Sequence, residues 1–456
     1  MPHFFWHRQH GSPFRNSSAR RTHPTPGIAA MLRSIVFLLA LSLGLALETK
    51  VDVPVSDTLS LPGYLTLPSG ATPLLGVVLI HGAGTFDADL TMDLQFANGS
   101  VAHPMFFRDI ANYLEKSGVA VLRYTKRSQW CLDNWETCQS KQMTISSLTD
   151  FENDAVGAVK FLQQKIDPQG QIALLAYDQG ADFAPRVASR VVGVRNLILV
   201  GGMGTPVRKL VETQLSSMVA EETAQVDYYT AQGLTEEAEM ATRSLEHVKG
   251  TLANCSKMFA DIEVAGSSSQ SCQAPEMQQE WLTWAQATTD KARYEALLSA
   301  TRKQQKALRV LALNGASDWS VPTALVAPLH ELLLRMQAAG QLAVETIVAD
   351  LLDHNMMISD AHEGPSIAPQ VLDFIEDFLC IDVALGDITN PTHRSLCTAP
   401  KTPLFDSGLE VAAFIMALLG ILISISAVAL TLVVCFRRPK ATFTPLTAQD
   451  FSGPAE

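Results

Sequence analysis

The stretch that decides the fold runs from Gln171 to Ala188 and reads Gln-Ile-Ala-Leu-Leu-Ala-Tyr-Asp-Gln-Gly-Ala-Asp-Phe-Ala-Pro-Arg-Val-Ala. Its apolar first half predicts a buried strand, and its second half predicts a helix. Asp178 lies at the turn between them, with Ala176 and Gly180 two residues to either side. Small residues are needed at those two positions because the strand and helix backbones nearly touch at so sharp a turn.

This strand, turn and helix together are typical of a nucleophile elbow, in which the residue at the turn presents its side chain to a substrate. Here that residue is an aspartate. Acyl transfer from an ester or amide requires an alkoxide or a thiolate. Asp178 therefore excludes ordinary serine-hydrolase chemistry at this elbow, unless another residue substitutes for it.

The segments around the elbow alternate between strand and helix patterns. Continuous apolar runs, typical of buried parallel strands, lie at 75–81, 119–124, 172–176, 196–200 and 308–314. Helical periodicity is found at 105–116, 150–165 and 368–378. This alternation predicts an α/β fold with a doubly wound, mostly parallel sheet.

About a hundred residues, 206–305, interrupt the alternation between two core segments, 48–205 and 306–380. They are rich in Ala, Glu, Gln, Leu and Lys and contain few strand formers. Because they follow a strand directly, we expect a helical cap over the active-site end of the sheet, with a small-molecule substrate or ligand beneath it. The alternative is a solvated helical insertion with no role in binding.

The N-terminal segment 1–47 has the composition of a leader. An apolar run, 34–47, follows a basic stretch without acidic residues and contains the small-x-small site Gly44-Leu-Ala46. This pattern predicts a signal peptide, and the run is too short to span a bilayer comfortably. Either Met1 or Met31 is the start of the natural chain.

A second apolar segment, 411–434, is uncharged and long enough for a membrane-spanning helix. Basic residues follow it at Arg437 and Arg438, which predicts a cytosolic tail over 435–456. We therefore expect a single-pass type I membrane protein of the secretory pathway or cell surface. Its ectodomain would be luminal or extracellular, with a stalk at 381–410.

The cysteines and sequons fit an ectodomain outside the cytosol. Six of the seven cysteines lie between the two apolar segments, and neighbour pairing, the simplest connectivity, gives Cys131/Cys138, Cys255/Cys272 and Cys380/Cys397. Asn98-Gly-Ser and Asn254-Cys-Ser predict glycosylation. The net charge of −12 argues against nucleic-acid binding.

Three further stretches resemble the α/β-hydrolase superfamily, in particular its dienelactone-hydrolase-like and serine-aminopeptidase-like branches. His81-Gly-Ala-Gly84 resembles the oxyanion loop, and Val119–Arg127 is similar to a segment ending in Arg-Tyr-Asp-Lys-Arg, with Thr125 in place of the aspartate. The stretches around Asp318 and His354 follow in the superfamily's order of nucleophile, acid and histidine.

This resemblance implies a role for each residue of the site. His354 would be the general base and Asp318 would orient it. Backbone amides of Ala83 and Gln179 would bind developing negative charge. It implies a structural role for Val119–Arg127, and we expect neither a cofactor nor a metal site.

Three functional interpretations follow. In the first, Asp178 attacks an sp³ carbon, as in the haloalkane-dehalogenase and epoxide-hydrolase branches, and a water activated by His354 hydrolyses the resulting ester. Tyr228 and Tyr229 in the cap are then candidates for polarising an epoxide oxygen. In the second interpretation the chain is a catalytically inactive hydrolase-fold protein that binds a ligand or another protein. In the third, a nearby serine or threonine has replaced the nucleophile.

Overall fold

The computed structural model describes eight ranges of the chain, 47–69, 72–95, 101–140, 147–265, 278–304, 308–318, 320–357 and 367–380. Within these ranges no helix is both long enough and apolar enough to span a membrane. The predicted signal peptide, apart from Leu47, lies outside the described residues. So do the predicted stalk, membrane span and cytosolic tail.

Eight strands form one mixed sheet. In chain order they are β1 (Leu47–Ser56), β2 (Leu59–Leu67), β3 (Leu75–Ile80), β6 (Ala120–Tyr124), β7 (Gln171–Tyr177), β8 (Val194–Val200), β9 (Leu308–Gly315) and β10 (Leu342–Ala349). Two short strands, β4 (Leu94–Gln95) and β5 (Val101–Ala102), pair separately. Across the sheet the order is β1-β2-β6-β3-β7-β8-β9-β10.

Pairing is antiparallel for β1 with β2 and for β2 with β6, and parallel from β6 to β10. The five strands predicted from apolar runs are the central ones of this sheet. The predicted mostly parallel sheet is confirmed. With the elbow directly after the central strand β7, the topology is that of an α/β-hydrolase-like fold.

Helices cover both faces of the sheet because side chains along each central strand alternate between the two faces. On one face Val77 and Leu79 of β3 pack with α1 (Phe106–Glu115) and α11 (Pro369–Cys380). On the other face Val78 and Ile80 belong to the core formed with the remaining sheet-covering helices. Those are α4 (Leu148–Gln163), α5 (Gln179–Arg190), α9 (Asp290–Gln304) and α10 (Thr323–Ala338).

The segment predicted as a cap begins with α6 (Val207–Ala231) and α7 (Thr235–Ala265), two long helices that pack against each other. It continues through α8 (Gln278–Ala287). The last helix of the segment, α9, packs instead against α5 in the layer under the sheet. The three helices of the insertion outside that layer, α6 to α8, are called the covering helices.

Two short helices after β6, α2 (Arg127–Asp133) and α3 (Trp135–Ser140), are joined by a disulfide between Cys131 and Cys138. This confirms the first predicted cysteine pair. Cys255 and Cys380 are also disulfide-bonded. Their predicted partners, Cys272 and Cys397, lie outside the described residues, as does the sequon at Asn98. The second sequon residue, Asn254, is exposed on α7.

Candidate active site

The elbow has the backbone geometry that its sequence predicts. Asp178 adopts φ 51° and ψ −122°, a conformation that residues with a side chain rarely adopt, and α5 begins at the next residue. A Cβ on Gly180 would lie 2.6 Å from the carbonyl oxygen of His81 and 2.9 Å from that of Ile80. The close approach of these backbones is therefore the reason that position 180 requires glycine.

Asp318 and His354 reach the elbow because each follows the carboxyl end of a parallel strand, β9 and β10 respectively. Nδ1 of His354 lies 2.8 Å from Oδ2 of Asp318, and both side chains are buried. The other oxygen of Asp318 accepts a hydrogen bond from the backbone N–H of Val321 at 2.6 Å. This second contact fixes the carboxylate, which in turn fixes the plane of the imidazole.

The second ring nitrogen of His354 faces the elbow. Its Nε2 lies 4.0 Å from Oδ1 of Asp178, a distance longer than a hydrogen bond. Gly201, directly after β8, has φ +66°, and a Cβ there would lie 3.1 Å from Cε1 of His354. The structure thus brings Asp178, His354 and Asp318 into one row with the imidazole in the middle.

The imidazole of His354 is more basic than a free histidine. Burial lowers its pKa, but the hydrogen bond with Asp318 and the charges of Asp318, Asp178 and Asp353 together raise that pKa above 6.5. A base must be neutral to accept a proton. Any reaction that used His354 as its base would therefore require a pH above this raised pKa.

Ala83, one of the two predicted oxyanion donors, contacts Asp178 itself. Its backbone N–H donates a 2.8 Å hydrogen bond to Oδ2 of Asp178. A Cβ on the preceding Gly82 would lie 2.7 Å from the same oxygen. The other predicted donor, Gln179, is fully buried at the start of α5. The loop 81–84, here called the oxyanion loop, thus holds one carboxylate oxygen and leaves the other facing His354.

An apolar cluster from the covering helices lies against the oxyanion loop. Ala83 packs against the cluster, whose buried members include Met203, Leu210, Met258, Phe259 and Trp284. The surface beside the elbow is therefore apolar on the cap side, with the polar groups concentrated on the sheet side.

A buried carboxylate in the elbow helix α5 contacts both α8 and α9. Asp182, one turn after Asp178 in α5, accepts a 2.8 Å hydrogen bond from Nε1 of Trp284 in α8 and lies 3.6 Å from Arg293 in α9. Burial raises the pKa of Asp182 to about 6, although Arg293 and Trp284 oppose that rise and Asp178 adds to it. The sequence analysis missed these three residues.

The two cap tyrosines are not at the site. Only the first residues of α6 are buried, and Tyr228 lies about 30 Å further along the helix at 1.5 Å per residue. Its side chain is 59 % exposed, and its ring contacts that of Tyr229. The tyrosine beside the site is Tyr177, whose ring centre lies 5.2 Å from that of His354 and whose hydroxyl donates to Oδ1 of Asn355 at 2.8 Å.

The basic segment after β6 lies directly behind the oxyanion loop. Lys126 donates a hydrogen bond from Nζ to the carbonyl oxygen of Gly82 at 2.7 Å, and Arg127 forms a bidentate pair with the carboxylate of Asp154. Buried charges need partners. Lys126 and Arg127, two adjacent basic residues that follow a buried strand, could therefore have been predicted from the sequence to be paired. Their partners could not. In the described ranges no group of three His, Cys, Asp or Glu side chains is placed to hold a metal ion.

No protein-family model matches the chain. Among curated proteins, esterase EstD of Thermotoga maritima is 29% identical over 189 residues, which are 41% of this chain and 39% of EstD. The match thus spans about two fifths of the length of that relative.

Solved structures similar to this chain include a dienelactone hydrolase from Anabaena variabilis (14% identity, TM-score 0.38, 73% of this chain and 96% of that chain). Another is the Pyrococcus furiosus esterase Pf2001 (15% identity, TM-score 0.38, 81% and 98%). At such identities and scores neither likeness bears on activity. The fold assignment rests on the strand order and the elbow.

Proposed function

We propose that this chain is a hydrolase in which Asp178 acts as a carboxylate nucleophile on an sp³ carbon that carries a leaving group. The observation that supports this most is that the two oxygens of the Asp178 carboxylate have different neighbours. Oδ2 accepts the N–H of Ala83, while Oδ1 faces His354. A carboxylate held by one oxygen presents the other oxygen for attack.

In the first step Oδ1 of Asp178 forms a bond to the substrate carbon as the bond to the leaving group breaks. A halide departs as an anion and needs no proton, whereas the alkoxide formed from an epoxide does. Tyr228 and Tyr229 lie too far along α6 to supply that proton, so a proton would have to come from the imidazolium of His354. The geometry therefore suits a haloalkane better than an epoxide.

In the second step a water that has lost a proton to Nε2 of His354 attacks the carboxyl carbon of the new ester. Negative charge develops on Oδ2, which the N–H of Ala83 already contacts and can stabilise. Asp318 holds the proton on Nδ1, so that Nε2 is the base. The alcohol leaves with the proton held on Nε2, and the other proton of the water passes to solvent as the carboxylate is restored.

The covering helices indicate the kind of substrate. Because Ala83 packs against the apolar cluster of α6 to α8, a substrate at the elbow would contact methionine, leucine and aromatic side chains. Esterase EstD, which is similar over part of the chain, is named for hydrolysis of esters. With Asp178 at the elbow we do not expect the same reaction, because a carboxylate that attacks an ester gives only a mixed anhydride.

Relocation of the nucleophile to another residue has little support in the described chain. Four non-glycine residues there have a positive φ, namely Leu90, Asp178, Leu351 and Met356. Of these only Asp178 carries a nucleophilic group. The stronger alternative is a catalytically inactive protein that binds an apolar ligand, and the observation that favours it is limited access, since the Asp178 side chain is 16% exposed and that of His354 10%.

Isotope labelling distinguishes the two proposals. The purified full-length protein is incubated with a panel of haloalkanes and epoxides in H₂¹⁸O under single-turnover conditions, and the peptide that contains Asp178 is analysed by mass spectrometry. Label in Asp178, and its loss in Asp178→Asn, supports the nucleophile. Asp227→Asn, which changes an exposed aspartate of α6, is the matched control.

Turnover that persists in Asp178→Asn would refute the mechanism. Failure of every substrate, together with esterase activity gained by Asp178→Ser, would favour the inactive binding protein. In either case fluorophosphonate probes should not label the natural chain.

A further inference from the structure

Lys126 places a buried cation behind the oxyanion loop. The residue lies between β6 and α2 and is 4% exposed. Its Nζ is 2.7 Å from the carbonyl oxygen of Gly82, 3.3 Å from Oε1 of Gln179 and 4.2 Å from the centre of the Phe151 ring. Lys126 thus touches both segments that carry the predicted oxyanion donors.

The contact with Gly82 bears on the donor of Ala83 because the two groups belong to one peptide unit. Peptide bonds of the described chain are trans, so the carbonyl oxygen of Gly82 and the N–H of Ala83 point in opposite directions. The oxygen accepts from Lys126, and the N–H donates to Asp178. A single peptide dipole therefore lies between an ammonium and a carboxylate, oriented favourably towards both.

Glycine at position 82 makes an external restraint necessary. A glycine backbone rotates more freely than any other, and rotation of this peptide unit would turn its carbonyl oxygen towards the Asp178 carboxylate. No larger residue fits, since a Cβ on Gly82 would lie 2.7 Å from Oδ2. Lys126 restrains the peptide from the side opposite to Asp178.

Other charged groups near Lys126 are engaged elsewhere or neutral. Arg127 pairs with Asp154 and with Asp150. His81, which lines a small cavity with Lys126, has its pKa lowered to about 3, mainly by burial. Its ring is therefore neutral at physiological pH, and the cation that acts on the oxyanion loop is Lys126.

We propose that Lys126 is a positioning residue that keeps the Ala83 N–H directed at Oδ2 of Asp178 and strengthens it as a donor. Its kinetic consequence rests on the proposed function. Formation of the covalent ester removes charge from the carboxylate, whereas hydrolysis of the ester returns charge to Oδ2. Lys126 therefore accelerates hydrolysis of the ester and leaves its formation unchanged or slightly slowed.

The first test does not depend on activity. The full-length protein is labelled with ¹⁵N-alanine, and the amide resonance of Ala83 is assigned by its loss in Ala83→Ser. In Lys126→Met the Ala83 proton should move upfield and exchange faster with solvent. Lys165→Met is the matched control, because Lys165 also lies over a phenylalanine ring, that of Phe161, at 5.1 Å but is far along the chain from the loop.

In Lys126→Arg, which keeps the charge and the donor, the resonance should return towards its natural position. An Ala83 resonance that is the same in Lys126→Met and in the unmodified protein would overturn the proposal. If Lys126→Met does not fold, Lys126→Gln replaces it, because glutamine retains a neutral donor and should give a smaller shift in the same direction.

The second test measures the two steps separately with a substrate that the unmodified protein turns over. Rapid quenching and mass spectrometry should show ester hydrolysis slowed about tenfold in Lys126→Met, about 1.4 kcal/mol in activation free energy. The adduct on Asp178 then accumulates. Equal slowing of both steps would refute the kinetic role. If no substrate gives an adduct with the unmodified protein, the proposed function fails, while the Ala83 resonance still decides the role of Lys126.

Discussion

The burial of Asp182 beside Arg293 predicts how the free energy of unfolding depends on pH. Burial raises the pKa of Asp182 from 3.8 to about 6 in the folded protein. The folded protein therefore keeps a proton on Asp182 over a pH range in which the unfolded chain has lost it. The resulting stabilisation is fully present below pH 3.8 and is lost as the pH rises to about 6. A shift of this size corresponds to about 3 kcal/mol.

Asp182→Asn removes this titration. Urea unfolding of the two proteins is followed between pH 4 and pH 7, with disulfides intact. The variant loses its ion pair with Arg293 and is expected to differ at every pH. The informative quantity is the difference in unfolding free energy between the two proteins. Because the unfolded chain is already partly ionised at pH 4, this difference should change by about 2 kcal/mol across the range, the unmodified protein becoming relatively less stable as the pH rises.

Asp290→Asn is the control for this experiment. Asp290 also faces Arg293, at 3.9 Å, but its side chain is 85 % exposed. Solvent screens so exposed a pair, so the pH dependence of Asp290→Asn should match that of the unmodified protein. Parallel pH profiles for the unmodified protein and Asp182→Asn would show that Asp182 titrates normally, and the account of the buried pair would be wrong.

Two further predictions concern the base and the elbow. For the proposed reaction, the single-turnover rate of ester hydrolysis should rise with pH as His354 loses its proton, because imidazolium cannot accept a proton. Burial lowers the pKa of His354 and the hydrogen bond with Asp318 raises it, so Asp318→Asn should move the pH–rate profile of this step to lower pH. Gly180→Ala should destabilise the protein by about 1–3 kcal/mol in urea unfolding, because the new Cβ meets backbone 2.6 Å away. Gly250→Ala, in the middle of α7 with nothing within 4 Å of a new Cβ, should stabilise it by about 1 kcal/mol.

The central fold was predictable because its strands are buried on both faces. Such strands are continuous apolar runs, and five of them appear as predicted. The sequence analysis did not predict β1, β2 or β10. β10 is only partly buried, with one fully buried residue, Leu342, so its pattern lacks a long apolar run. β1 is an edge strand whose buried side chains alternate with exposed ones.

The row of Asp178, His354 and Asp318 could be expected because parallel strands end at one edge of the sheet. Their catalytic roles remain predictions. The contacts of Lys126 with Gly82 and of Asp182 with Trp284 join residues 44 and 102 positions apart. Composition and periodicity show that a buried charge needs a partner, but they do not show which distant segment provides it.

A carboxylate at the elbow changes what the oxyanion loop can stabilise. In a serine enzyme the loop receives an oxygen of the substrate, and the nucleophile stays outside it. Here the Ala83 N–H is already engaged by Oδ2 of Asp178. A substrate carbonyl would have to displace a charged oxygen to use that donor, whereas an ester formed on Asp178 itself has its own oxygen in place. The same loop, elbow and histidine thus fit the proposed hydrolysis of an ester on Asp178 better than hydrolysis of an ester that arrives as substrate.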